Sequence, residues 1–143
     1  MKNKSPKSVF DIISTGAKIP TLLDVRLAIN TGKWLNSIIN GLPDGIDIYS
    51  NQTQQRLPDF ALVAGILLLD ETNPTIKDAF KLAYEKKIDV GFINQLSVEN
   101  RADYSIIRLI KDKQTYLINY QLHENSVTIH TINESVMNVV ITA

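Results

Sequence analysis

Along the first hundred residues the apolar positions change spacing from one stretch to the next, and after Glu99 they settle into short β-rich runs. Val9, Phe10, Ile12 and Ile13 share a helical face behind a capping-box-like start at Ser8, with Gly16 placed to stop a short leading helix. From Thr21 to Ile29, Leu23, Val25, Leu27 and Ile29 alternate as a strand does, while Thr21 and Asp24 are helix-capping types. The alternation points to a strand, with a helix as the alternative. Thr31 then caps a helix through Asn40, with Trp34, Leu35, Ile38 and Ile39 on one face and Gly41 and Pro43 beyond its end.

The turn Pro43-Asp44-Gly45 introduces a short strand, Ile46 to Ser50, and residues 51 to 59 form a polar connection. Ala61 to Leu69 is apolar throughout, which predicts a central strand covered on both faces. Asn73 and Pro74 open the next helix, whose Ile76, Ala79, Phe80 and Ala83 face inward and whose Lys86 and Lys87 suit its negative end. Ile88 to Ile93 completes a β-α-β unit, which implies a parallel pair with a right-handed crossover. Tyr104 to Ile110, Thr115 to Leu122, Val127 to Ile132 and Val136 to Thr142 follow as an antiparallel meander with short polar turns. The expected architecture is one α/β domain over residues 1–143, bordering on α+β: an N-terminal helix, a mixed sheet containing the β-α-β unit, and the C-terminal meander.

Composition narrows the function classes. Fifteen basic residues balance fifteen acidic ones, eleven against eleven through Asn100 and four against four after it. A neutral, unpolarised chain lacks the field of a nucleic-acid or membrane-surface protein. With no cysteine, thiolate metal sites and cysteine nucleophiles are excluded. His123 and His130 lie seven apart in strand-like sequence, which matches no common zinc spacing. The longest apolar run, Phe60 to Leu69, is too short to span a bilayer, and the start lacks a secretory pattern, so a cytoplasmic location is expected.

Ile66 to Thr72, ILLLDET, has the form of the metal-binding strand of a nucleotide hydrolase: an apolar run ending in two carboxylates. Its necessary partner, a glycine-rich loop ending in Gly-Lys-Ser or Gly-Lys-Thr, is missing, since Gly32-Lys33 is followed by Trp34. No nucleotide cofactor is expected. In open α/β sheets ligands bind beyond the carboxyl ends of strands, which nominates Ser50, Asn51, Asp70, Glu71, Thr72 and Asn94 as a polar rim. Asp70 and Glu71 would be the metal ligands of a small Mg²⁺-dependent phosphate-processing enzyme, the alternative reading.

The leading expectation is a non-catalytic protein-binding or self-associating module without cofactors. The last four strands carry apolar groups on both faces, and the helices expected here cover only one. Tyr116, Ile118 and Tyr120 on one strand and Val139 and Val140 on the last are the candidate interface of a homodimer.

Overall fold

The computed structural model describes residues 21–50, 57–70, 72–94 and 104–143, with the backbone alone for Ser50 and Asn94. The leading helix expected over residues 9–13 lies outside them. Among the described residues the first element is helix α1, Leu22–Ile39, so the strand expected from Thr21 to Ile29 is corrected: the helix already runs through it. The capping residues decide its start. Thr21 Oγ1 accepts the amide of Asp24, and Asp24 Oδ2 accepts the amide of Thr21, a closed capping box. Asn40 ends the helix in the left-handed conformation, φ 66°, and its N–H returns to the Asn36 carbonyl.

Strand β1, Gly45–Ser50, falls where the turn residues place it. The apolar run after it is helix α2, Asp59–Ile66, and not the central strand its composition predicts. Ala61 through Ile66 are all buried, so the segment is doubly covered as expected, but by helical geometry. A helix enclosed on every side shows no apolar stripe. Leu67 ends it and Leu68 turns the chain with φ 65°.

A 3₁₀ turn, Ile76–Asp78, and helix α3, Ala79–Glu85, follow where one helix was expected. Asn73 Oδ1 accepts the Thr75 amide and hydroxyl, so Asn73 holds the bend before the 3₁₀ turn. Strands β2, Asp89–Asn94, β3, Ser105–Lys111, β4, Gln114–Leu122, β5, Ser126–Ile132, and β6, Ser135–Thr142, complete the described elements.

The six strands form one mixed sheet in the order β2-β1-β3-β4-β5-β6. β1 and β2 are the parallel pair, and every other neighbouring pair is antiparallel. A β-α-β connection is therefore present, with Gly45–Ser50 as its first strand in place of Ala61 to Leu69. The meander is as the alternation predicts. Its β3–β4 and β5–β6 turns, Asp112-Lys113 and Asn133-Glu134, have positive φ at both residues, the geometry that matches strand twist in a two-residue hairpin.

The helices lie on one face of the sheet. α1 packs against β5 and β6, α3 against β2, and α2 lies between the two helices. Ile46, Ile48, Ile107, Leu109, Ile118, Tyr120, Val127, Ile129 and Ile141 point into that layer and are buried. Two glycines set the closeness of α1 and α2. A methyl group on Gly32 would lie 2.6 Å from Ile66 N and would overlap the Leu62 carbonyl; one on Gly65 would overlap the Ile29 carbonyl. Beside this crossing, buried Asn36 donates from Nδ2 to the Ile66 carbonyl at 2.8 Å and satisfies the end of α2. Asn36→Leu is expected to cost about 1–3 kcal/mol, because the Ile66 carbonyl would lose its buried donor, and urea denaturation monitored by circular dichroism measures it.

Candidate functional site

Two places deserve comparison as sites: the rim nominated by the sequence, and the sheet face opposite the helices. At the rim, Ser50 and Asn94 end β1 and β2 and are register partners, so two of the polar strand ends do lie side by side. Asp70 and Thr72 do not end a strand. They follow α2, because the run before them is helical. Asn51 and Glu71 lie outside the described residues.

Asp70 Oδ1 accepts a hydrogen bond from Lys33 Nζ of α1, an ion pair open to solvent. With Thr72, Arg26, Ile29 and Asn30 the pair lines an open cleft of about 420 Å³ on the helical side of the molecule. Asn30 also donates from Nδ2 to the Thr142 carbonyl, tying α1 to the last strand. Asp70 thus has a lysine for its neighbour. No group of three or more histidine and acidic side chains able to hold a metal occurs among the described residues.

The helix-free face is built from the alternate residues of each strand. Register places Gly91, Asp47, Arg108 and Leu117 in one row across β2, β1, β3 and β4. Arg108 donates to Asp47 Oδ2 from Nε at 3.0 Å and from Nη2 at 2.7 Å, and its guanidinium lies 5.9 Å from the Tyr49 ring centre. The hydrogen bond to Asp47, and then the nearby Tyr49, hold the Arg108 pKa above its ordinary value. Gly91 makes room for this pair, since a methyl group there would lie 2.8 Å from Asp47 Oδ1.

The next row is Ile93, Tyr49, Ile106, Asn119, Thr131 and Val136. Asn119 Nδ2 donates to Thr131 Oγ1, and His130 Nε2 meets Gln121 Oε1 at 3.1 Å while its ring lies 4.8 Å from that of Tyr104. His130 is the odd residue of a bulge: Ile129 and Thr131 face successive residues of β4, and on β6 they face Val139 and Val136. The face therefore has a charged centre over β1 and β3, a hydrogen-bonded band over β4 and β5, and uncharged β6 at its margin.

The residues expected at an interface divide between the two faces. Ile118 and Tyr120 are buried beneath the helices, and Tyr116, half-buried, packs against the same core. That side of β4 serves folding. Val139 also turns inward, half-buried against the core, whereas Val140 is 61% exposed on the helix-free face, joined there by Val136 at 72%. Sequence reasoning missed the Asp47–Arg108 pair. The signal was there in the alternation of Ile106, Arg108 and Ile110 against Ser105, Ile107 and Leu109, which marks β3 as apolar on both sides with one charge inserted.

Among the described residues no helix is long and apolar enough to cross a membrane. No protein-family model matches the chain, and no curated protein matches it.

Proposed function

We propose that this chain is a non-catalytic protein-binding module that associates with a second copy of itself through β6 and the adjoining helix-free face. The observation that carries the reading is the makeup of the last strand. Ser135 to Ala143 contains no charged residue and no proline, yet among the described residues β6 is an edge of the sheet. Edge strands are ordinarily guarded by a charge, a proline or a bulge.

β6 has only the last of these. Met137 and Asn138 together face the single residue His130, and Asn138 has φ 50°, which leaves Val139–Thr142 as the regular segment. Four residues pair weakly, so Val136 and Val140 must contribute. Two-fold symmetry doubles them. Burial of an exposed valine contributes on the order of 1–2 kcal/mol, against an association cost of at least about 4 kcal/mol. Four such valines contribute about 4–8 kcal/mol, so with the few hydrogen bonds of the paired edges the expected balance is a weak dimer, with a dissociation constant of about 0.1–1 mM, helped by a net charge of zero that brings no long-range repulsion.

Sedimentation velocity from about 10 μM to about 1 mM tests the reading. The native chain is expected to shift from monomer to dimer with concentration, and Val140→Asp to remain monomeric with an unchanged melting temperature. Val139→Asp, directed into the core, is expected to destabilise the fold instead. A native chain that stays monomeric throughout defeats the self-association reading.

A further inference from the structure

The sheet edge far from β6 has a different chemistry. Among the described residues β2 pairs with β1 alone, so the outward backbone groups along Asp89–Asn94 have no described strand beside them. α3 packs against this strand. Ala79 and Ala83 are fully buried and bring the helix close, and Leu82 packs half-buried against the core. Its aromatic side chains, Phe80 and Tyr84, are exposed. The Phe80 ring meets the Phe92 ring of β2 edge-on, with centres 5.5 Å apart and planes at 82°. Phe92 is 55% exposed, and Tyr84, one helical turn beyond Phe80, is 81% exposed.

Three exposed aromatic rings thus lie along a short helix and a strand edge that is unpaired among the described residues. The helix is seated on the core by Ala79, Ala83 and Leu82, so much of this aromatic surface stays in water. Lys77 and Lys81 lie in the 3₁₀ turn and α3, and Lys86 and Lys87 follow α3; all four are exposed, and no salt bridge engages them among the described residues. They outnumber Asp78, Glu85 and Asp89 in a chain whose total charge is zero.

From this juxtaposition we infer that β2 and α3 form a receptor groove for an extended acidic segment of another protein. The segment adds to the sheet as a strand beside β2, which satisfies the outward backbone groups. Every second side chain then faces the helical layer, where Phe80, Tyr84 and Phe92 receive apolar groups. Carboxylates on the segment meet the lysines. A second copy of this chain is a poor occupant, because β6, the other sheet edge, offers no carboxylate. The groove is therefore separate from the self-association surface, and the oligomeric state of the chain does not decide it.

The test uses the full-length chain and fluorescence anisotropy with an array of labelled ten-residue peptides. In these, valine or phenylalanine alternates with glutamate, glutamine or lysine, and further copies carry proline at one or the other set of alternate positions. Glutamate peptides are expected to bind with dissociation constants below about 1 mM and roughly tenfold more tightly than glutamine peptides, since charged partners strengthen such contacts. Proline at the positions whose N–H faces β2 removes binding. Tyr84→Ala and Lys81→Glu each weaken binding at least about fivefold without lowering the melting temperature, because both side chains are exposed. Absence of binding across the array overturns the inference, as does equal binding of lysine and glutamate peptides. Binding that survives proline at both sets of positions overturns it too.

Discussion

Gly65→Ala is expected to unfold the chain or leave it several kcal/mol less stable, although the same change in an exposed helix interior would stabilise by about 0.5–1 kcal/mol. The sign is reversed by the α1–α2 crossing. The added methyl would overlap the Ile29 carbonyl and lie 2.8 Å and 2.9 Å from the Ile29 carbonyl carbon and Cα. All of these are backbone, so no side-chain rotation relieves them, and the two helices must separate. Separation opens the contacts of Leu62 and Ile66 along the same interface, at a cost of about 1–3 kcal/mol for overpacking and more where backbone must shift. Gly32→Ala is expected to behave alike, for the mirror reason: Ile66 N lies 2.6 Å from its added methyl. Gly45→Ala is the control. Its methyl would meet nothing nearer than 3.6 Å, so its stability in urea denaturation should stay within about 0.5 kcal/mol of native.

The second large effect is an asymmetry between neighbours. Leu67→Asp is expected to abolish folding at 37 °C, since Leu67 is buried in the core and among the described residues no buried cation is present to face it. Leu68→Asp should leave a folded protein. Leu68 is 56% exposed and holds φ 65°, a conformation that costs leucine roughly 1–2 kcal/mol. Leu68→Gly, relieved of that cost, should raise the unfolding free energy measured by urea denaturation by up to about 1 kcal/mol. A strand covered on both faces would reject aspartate at either position, so thermal denaturation of the two single variants separates the helical arrangement from the extended one. Equal loss of stability in both would contradict the structure at this point.

These two predictions fall where sequence and structure part. The apolar run around Leu62 has no period to detect, because a helix buried on all sides and a strand buried on both faces look alike in composition. In α1 the difficulty is of another kind. Its buried stripe runs through Leu27, Ala28, Thr31, Gly32, Leu35, Asn36 and Ile39, at true helical spacing. Three of the seven are threonine, glycine and asparagine, each buried for a contact that hydrophobicity does not register: Thr31 Oγ1 donates to the Leu27 carbonyl, Gly32 admits α2, and Asn36 caps it. The remaining apolar positions happened to alternate. Capping chemistry at Thr21 and Asp24 was the better guide.

The meander was legible because each strand alternates inward and outward residues and each tight turn carries polar types that tolerate positive φ. Of the polar rim, Ser50 and Asn94 end strands that the pattern located, but their adjacency was not legible, because Ala61 to Leu69 stood as the expected parallel partner of the second strand. Asp70 was misplaced together with the element before it. At the proposed interface, Val139 and Val140 separate as the alternation of β6 requires, but the choice of which face of β4 the helices occupy depended on helices that the pattern had not located.

The salt bridge at the centre of the helix-free face bears on how copies of this protein can meet. Asp47 and Arg108 satisfy one another and keep their remaining polar atoms in water. A flat apolar surface laid over β1 and β3 would strip that water away and supply nothing in return, and such desolvation commonly outweighs the attraction within the pair. Across the sheet, β6 carries no ion to desolvate. The same face thus repels an indiscriminate apolar cover at one end and admits it at the other, a gradient of wetting across six strands that would set the specificity of the proposed self-association.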